Sequence, residues 1–153
     1  MMNQVLRADI IDAAEILELQ KLAYQSEAVI YSDWTLPPLT QTLNEIKKEF
    51  HATIFLKVCD AGKIIGSVRA SDHHGTCKIG RLIVHPDFRC KGTGTQLMAA
   101  VEARFPAVQR FELFTGSRSA GNIRLYERLG YRIFRTERLS PQVDLVFMEK
   151  LRR

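Results

Sequence analysis

Two periodicities run through the apolar positions of the chain, and they divide it into strands and helices. Residues 53–59 and 63–71 are rich in branched side chains and are separated by Asp60-Ala61-Gly62, a hairpin-type turn, so they are expected to pair antiparallel. Residues 76–84 form the next strand and end in the continuous aliphatic run Leu82-Ile83-Val84, as expected for a buried strand. His85-Pro86-Asp87 stops that strand, because proline has no N–H to give to a ladder. Further strands are expected at residues 4–7, 110–114, 131–138 and 142–150, the last two joined at Ser140-Pro141.

Helical spacing appears four times. Ala13, Ile16, Leu19 and Ala23 mark one face of a helix that Asp9 can cap and that ends near Ser26. Leu43, Ile46 and Phe50 form the buried stripe of a second, capped by Thr40 or Thr42, with Lys47, Lys48 and Glu49 facing water. The stretch between, residues 27–39, carries Tyr31, Asp33, Trp34 and the pair Pro37-Pro38 and reads as a loop separating the two helices. From Gly94 onward Leu97, Met98, Ala100, Val101 and Phe105 recur at helical spacing, and Pro106 closes that helix. A short helix opens at Asn122 after the polar residues 115–121 and ends at Gly130 as a left-handed C-cap. The fold class is therefore α/β: a mixed, mostly antiparallel central sheet of about seven strands with about four helices, in one domain over residues 1–153.

Between the buried strand and its helix stands Arg89-Cys90-Lys91-Gly92-Thr93-Gly94. Glycines at the mouth of a helix let the backbone approach a ligand, and the free N–H groups of the first turn favour phosphate. With Arg89 and Lys91 adjoining, the expected guest is a pyrophosphate. A P-loop needs Gly-Lys-Ser/Thr, but the lysine here precedes Gly92; a dinucleotide fingerprint needs a third glycine where Leu97 stands. What remains is Arg-x-x-Gly-x-Gly after a strand ending in Val-x-Pro.

That pattern resembles the coenzyme A loop of the GNAT superfamily of N-acetyltransferases, and the order of elements is similar to that family across nearly the whole chain. Leu125-Tyr126, Leu129 and Gly130-Tyr131 resemble the family's Leu-Tyr-x-x-x-Gly-Phe/Tyr signature. The resemblance implies an acetyl-CoA-dependent N-acetyltransferase acting on a primary amine through a direct ternary complex. It further implies that Leu82, Ile83 and Val84 pair by their backbones with the pantetheine arm and that Arg89, Cys90, Lys91, Gly92, Thr93, Gly94 and Thr95 wrap the pyrophosphate. By the same resemblance Asn122 contacts coenzyme A from the opposite side, and Tyr126 gives a proton to the departing sulfur. The bland readings are a helix N-cap for Asn122 and a core aromatic for Tyr126.

Three positions depart from the family pattern. Cys90 replaces a glycine, Ser119 stands where the family's asparagine is common, and Lys78-Ile79-Gly80-Arg81 lacks the usual glutamate base. Glu27, Asp33, Asp72 and Asp144 are the substitute bases considered, and residues 27–39 are expected to roof the acceptor pocket with Tyr31, Asp33 and Trp34.

Composition narrows the rivals. A net charge of +5 and a pI near 9.3 suit an anionic ligand such as acetyl-CoA. They also suit nucleic acid, but the basic residues are scattered, with only Lys47-Lys48 and Arg152-Arg153 adjacent, so no nucleic-acid partner is expected. A noncatalytic acyl-CoA sensor with the same fold is the other rival, and an intact Tyr126 disfavours it. Cys59, Cys77 and Cys90 have neither disulfide nor zinc spacing, and His73-His74 has no accompanying carboxylate or cysteine cluster, so no metal is expected. The N-terminal stretch lacks the apolar run of a signal peptide and no run of eighteen apolar residues exists, so no membrane partner and a cytoplasmic location are expected. Nothing sets the oligomeric state, and a homodimer is compatible with the sequence.

Overall fold

The structure is a computed structural model that describes residues 3–152; Met1 and Met2 of the N-terminal stretch and Arg153 of the basic pair lie outside the described residues. Seven strands form one sheet in the order β1-β2-β3-β4-β5-β7-β6. They are β1 (Val5–Arg7), β2 (Ile54–Asp60), β3 (Lys63–His73), β4 (Thr76–Val84), β5 (Arg110–Gly116), β6 (Arg132–Ser140) and β7 (Val143–Leu151). Every neighbouring pair is antiparallel except β4 and β5, which run parallel over Thr76, Cys77 and Lys78 against Arg110, Phe111 and Glu112. Mixed α/β architecture with about seven strands is thus what the alternating and continuous apolar runs specified.

The helices are more numerous than the periodicity suggested. They are α1 (Ala13–Ala23), α2 (Gln25–Tyr31), α3 (Pro37–Thr40), α4 (Leu43–Glu49), α5 (Thr93–Ala103) and α6 (Ala120–Arg128). Two of them, α2 and α3, lie in or across the stretch read as a loop. Ala28 and Tyr31 are the buried residues of α2, too short a stripe to register as a period. Pro37 and Pro38 begin α3 rather than forbid it, since the first helical turn has no intrahelical partner for the N–H that proline lacks. Thr42 caps α4 through a reciprocal box, its hydroxyl accepting from Glu45 N–H while Glu45 accepts from Thr42 N–H at 2.8 Å.

One core lies between the sheet and α5 and gathers Leu56, Val68, Cys77, Leu97, Met98, Val101, Phe111 and Met148. Burial pushes the Cys77 thiol up to about 12, which makes it an inert packing residue. A second core lies under α1 and α4, where Ile16, Leu19 and Ile46 meet Phe55, Ile64 and Ile83. Arg69 crosses this region nearly buried, donating to Gln20 Oε1 at 2.6 Å and Glu49 Oε2 at 3.0 Å, with its guanidinium 4.5 Å from the centre of the Phe55 ring. Burial lowers its pKa to about 10 despite Glu49, so the charge is held at a cost. At the far edge β6 is exposed along almost its whole length, with Phe134 and Phe114 flanking Phe147, and the guanidiniums of Arg110 and Arg135 lying over Phe134 and Phe147.

Because Glu49 is, among the described residues, the one carboxylate bonded to Arg69, Glu49→Ala leaves a largely buried cation without its counter-ion. Breaking a fully buried pair costs about 3–5 kcal/mol, and Glu49 is partly exposed, so the expected loss in urea unfolding is roughly 1–2 kcal/mol. Arg69→Met combined with Glu49→Ala should recover most of it, and a double variant less stable than the single would show that the pair itself holds the two cores together.

Candidate functional site

The parallel contact between β4 and β5 ends after Lys78 and Glu112, and beyond it the two strands splay. A bulge helps to bend β4 away: its register against β3 shifts between Ser67 and Arg69, and Arg81 takes a left-handed φ of 50°. For a non-glycine residue that conformation costs on the order of 1–2 kcal/mol. The C-terminal half of β4 therefore has a partner on one side only. Ile83 faces Ser67 of β3 and His85 N–H bonds Ile65 O at 2.7 Å, so by alternation the backbone groups of Leu82 and Val84 face the gap.

Two cavities occupy the splay. The larger, about 640 Å³, follows Leu82, Ile83 and Val84 to the loop before α5 and is bounded on the other side by α6. Its lining includes Arg89, Cys90, Gly92, Thr93, Gly94, Thr95 and Asn122. Gly92 has φ 84° and Cys90 φ 61°, so the loop curls tightly enough to point the first amides of α5 into the cavity. Gln96 N–H already bonds Gly92 O at 2.9 Å, whereas Thr93, Gly94 and Thr95 have no carbonyl a turn earlier in the helix to receive their amides. Arg128, at the end of α6, adds a guanidinium with no ion pair among the described residues. A pyrophosphate-bearing ligand fits this set of donors.

Some expected contacts are placed differently. Arg89 Nη2 donates to Ala23 O at 2.8 Å, so this side chain ties the loop to the C-terminus of α1 while still bordering the cavity. Lys91 does not line the cavity; its ammonium lies 5.4 Å from the Phe88 ring centre. Asn122 is not an N-cap, since α6 starts at Ala120 after Ser119, and its amide instead reaches Glu27 Oε1 at 3.3 Å and Thr115 Oγ1 at 3.4 Å. Gly130 has φ 98° and ends α6 as expected.

The smaller cavity, about 200 Å³, opens from the same place. Tyr24, Glu27, Leu82, Ser119 and Asn122 line both cavities, so the junction between them is the one place where two ligands would meet. Glu27 is central there, its Oε1 accepting from Ser119 Oγ at 2.6 Å; Ser119 Oγ in turn lies 2.8 Å from Tyr31 OH, which accepts from Arg118 N–H at 3.0 Å. Gly116 makes room for that Tyr31 hydroxyl, which a β-carbon at this position would overlap. Tyr126 is 6% exposed and lines the smaller cavity, and burial, with Tyr24 and Glu27 nearby, raises its phenol pKa. The Tyr24 phenol is also raised by burial, with Arg81 opposing and Glu27 adding to the shift.

Of the four carboxylates considered as bases, only Glu27 is brought to the junction. Asp33 is engaged by Thr35, Asp72 accepts from Gly75 N–H in the β3–β4 turn, and Asp144 is bonded to Arg138. The roof over the smaller cavity is built from Tyr31, Leu36, Pro37 and Pro38, but Asp33 and Trp34 are not in it, and Trp34 is 56% exposed. Those two follow the left-handed Ser32 that ends α2 and turn outward. Tyr24, Thr115, Ser119, Arg81 and Arg128 join the cavities without having been singled out as site residues. Of these, two carried a signal: Ser119, standing seven residues before Tyr126 where an asparagine is common, and Arg81, in the stretch that lacks the usual glutamate. His73, the last residue of β3, bonds Ser71 and lines neither cavity.

Residues 13–131 match the Acetyltransferase (GNAT) family, and the chain belongs to it. Among curated proteins it is 29% identical over 119 residues to the UPF0157 protein YqkA of Bacillus subtilis (strain 168), covering 78% of this chain but 34% of that protein, so it spans about a third of its relative's length. The PaiA N-acetyltransferase of Thermoplasma acidophilum, solved with coenzyme A, has the same fold with a TM-score of 0.79 at 18% identity, over 99% of this chain and 100% of that one. The ribosomal-protein-S18-alanine N-acetyltransferase of Escherichia coli gives 0.82 at 17% identity over 98% and 94%. YncA of Salmonella typhimurium, solved with its cofactor acetyl-CoA, gives 0.76 at 19% identity over 99% and 94%.

Cys90 holds φ 61° where glycine would be unstrained. Removing its β-carbon relieves about 1–2 kcal/mol of left-handed strain and adds roughly 0.5–1 kcal/mol of chain entropy to the unfolded state. Cys90→Gly should therefore raise unfolding stability by about 0.5–1 kcal/mol. An unchanged or lower melting temperature would show that the thiol itself stabilises the loop.

Proposed function

We propose that the chain transfers an acetyl group from acetyl-CoA to a primary amine by direct attack within a ternary complex. The observation that carries this reading is the junction itself, where a cavity bordered by helix amides and one bordered by aromatic and apolar side chains share Glu27 and Tyr24. Acetyl-CoA would lie with its pyrophosphate against Gly92, Thr93, Gly94 and Thr95, its pantetheine arm along the unpaired edge at Leu82 and Val84, and its thioester at the junction. Bound there, it supplies an activated acyl group.

The protein's own groups then divide the work. Backbone N–H groups of Leu82 and Val84 are fixed dipoles on the open edge and can stabilise charge that develops on the thioester carbonyl oxygen. Glu27 accepts a proton from the acceptor's ammonium, and the neutral nitrogen attacks the acyl carbon as the C–S bond breaks. Ser119 and Asn122 hold Glu27 Oε1 in place for that transfer. Tyr126 returns a proton to the sulfur, a role compatible with a phenol kept protonated by burial. The lining of both cavities by Tyr24 favours a second reading in which that phenol is the donor. No cysteine is assigned as an acyl carrier: Cys59 and Cys77 line neither cavity, and Cys90 borders the larger one on the phosphate loop, outside the set of residues shared at the junction.

The binding half is tested by melting. Acetyl-CoA should raise the melting temperature by mass action, and Gly94→Glu, which sets a carboxylate among the helix amides, should abolish the shift while the fold persists. A folded variant with the full shift would remove the phosphate from this loop.

The chemical half is tested by turnover. Tyr126→Phe should lose about tenfold to a thousandfold in turnover with acetyl-CoA affinity kept, and Tyr24→Phe should lose little; the reverse order assigns the acid to Tyr24. Glu27→Gln should lose on the order of a hundredfold or more near neutral pH. Its rate should climb as pH rises toward an ordinary amine pKa of about 10, because bulk water then does the deprotonation. A Glu27→Gln variant with wild-type turnover at neutral pH would eliminate Glu27 as the base.

A further inference from the structure

Arg81 is the unexplained charge of the smaller cavity. It lines that cavity, its Nε is buried with no hydrogen-bond partner, and it makes no ion pair among the described residues. A guanidinium Nε left in this state forfeits a bond that water or a ligand would otherwise give. Its surroundings add to the imbalance. Arg69 is close enough for the two cations to repel, and among the described residues the one carboxylate bonded to either is Glu49, which serves Arg69. The backbone at Arg81 is held in the left-handed region on the β4 bulge, so the side chain departs from the sheet at the splay rather than into the pleat.

The same cavity is lined by Glu27, the carboxylate at the acyl junction, and Arg81 and Glu27 both lie near enough to the Tyr24 phenol to act on it. The cavity that both line is about 200 Å³, below the range of about 300–1,000 Å³ usual for drug-sized ligands. Its walls are mainly aliphatic and aromatic, with Leu36, Pro38, Leu113 and Val143 among them. A volume of that size holds a small molecule rather than a length of peptide.

We propose that the acceptor is a free α-amino acid with an apolar side chain, its amino group at Glu27, its carboxylate on Arg81 and its side chain against the aliphatic wall. This deepens the acetyltransferase reading above and rests on it. A carboxylate answers the orphaned guanidinium with a charge-assisted, two-pronged contact that an amine without an acid group cannot make. It also places the amine at a fixed distance from Arg81, which orients the nitrogen for attack. The transfer balances: the N–C bond forms and the C–S bond breaks; nitrogen gives up two protons, one through Glu27 to solvent before attack and one as the amide forms, and the second matches the proton that the phenol delivers to sulfur and regains.

The test compares acceptors that differ only at the acid group. Leucine, leucinamide, 3-methylbutylamine and the tripeptide leucyl-alanyl-alanine are offered with acetyl-CoA to the wild-type protein, to Arg81→Met and to Arg81→Lys, each first shown to melt cooperatively and to keep its acetyl-CoA shift. Wild type should favour leucine over the amide and the amine by about tenfold to a hundredfold in kcat/KM, mostly in KM. Arg81→Met should erase that preference by raising KM for leucine far more than for 3-methylbutylamine, and Arg81→Lys should retain part of it. Equal use of leucine and leucinamide by wild type, preference for the tripeptide, or an equal loss on leucine and the amine in Arg81→Met would each overturn the proposal. The same ligands are titrated calorimetrically into the protein saturated with coenzyme A. Arg81-dependent binding of leucine without turnover would support the carboxylate site while removing the transferase reading; no binding and no turnover of leucine would overturn the carboxylate site, whatever acetyl-CoA does.

Discussion

Everything at the site follows from a broken pairing. A parallel neighbour for β4 exists over three residues and then departs, so a central strand is left with donors and acceptors unpaired on one side along much of its length. Backbone groups inside a protein are normally paired, and an unpaired edge within the fold is costly unless something polar supplies the missing partner. The bulge at Arg81 maintains the separation, α5 and α6 close the two sides, and the opening becomes a slot whose wall is a strand awaiting another strand. An extended ligand arm with amide groups is the kind of molecule that satisfies such a wall.

The two cavities differ because different elements bound them. Helix α5 brings an N-terminus, with its amides and positive dipole end, to the larger cavity, and the tight loop before it leaves no room for side chains between ligand and backbone. The smaller cavity is bounded by α2, α3 and the tips of β5 and β7, which contribute aromatic rings and aliphatic branches. Glu27 belongs to α2 but is held by Ser119 and Asn122 of the α6 region, so the correct placement of this carboxylate depends on residues more than ninety positions away in sequence. Tyr31 extends the same bridge, passing from α2 to Ser119 and Arg118, with the Arg118 side chain also bonding Ile30 O.

What could be read in the residues was whatever repeats or whatever breaks a rule. Leu82-Ile83-Val84 followed by Pro86, and the stripe Leu97, Met98 and Val101, announce a buried strand and its covering helix, and Gly92 and Gly94 mark the turn between. The sheet's composition was legible for the same reason, because branched residues at alternate positions leave few other arrangements. Helix α2 escaped because seven residues with two buried positions have no measurable period, and α3 because two prolines were read as a barrier where they form a start. The bond that ties Arg89 to the end of α1 has a tertiary origin: Ala23 O lies within its reach, which nothing near Arg89 in sequence reveals. The cluster of Glu27, Ser119, Tyr31 and Asn122 was likewise hidden, since each member is an ordinary polar residue whose meaning arises only when α2 is laid across the start of α6.

The distant edge of the sheet faces a different demand. Strand β6 has one hydrogen-bonded neighbour and lies open to solvent, and its outer surface carries Phe134 beside Phe147 and Phe114. Left bare, such an edge is a template onto which another chain could add as an extra strand, with the aromatic ladder as glue. The guanidiniums of Arg110 and Arg135 lie flat over these rings at 4.7 and 4.0 Å, while Arg132 and Arg138 stand on the strand itself. Each of these arginines is met by a carboxylate, Arg110 and Arg132 by Glu149, Arg135 by Glu137 and Arg138 by Asp144. A lattice of alternating charges thus covers the aromatic part of the sheet, and a strand added at this edge would have to strip water from paired ions to reach the rings.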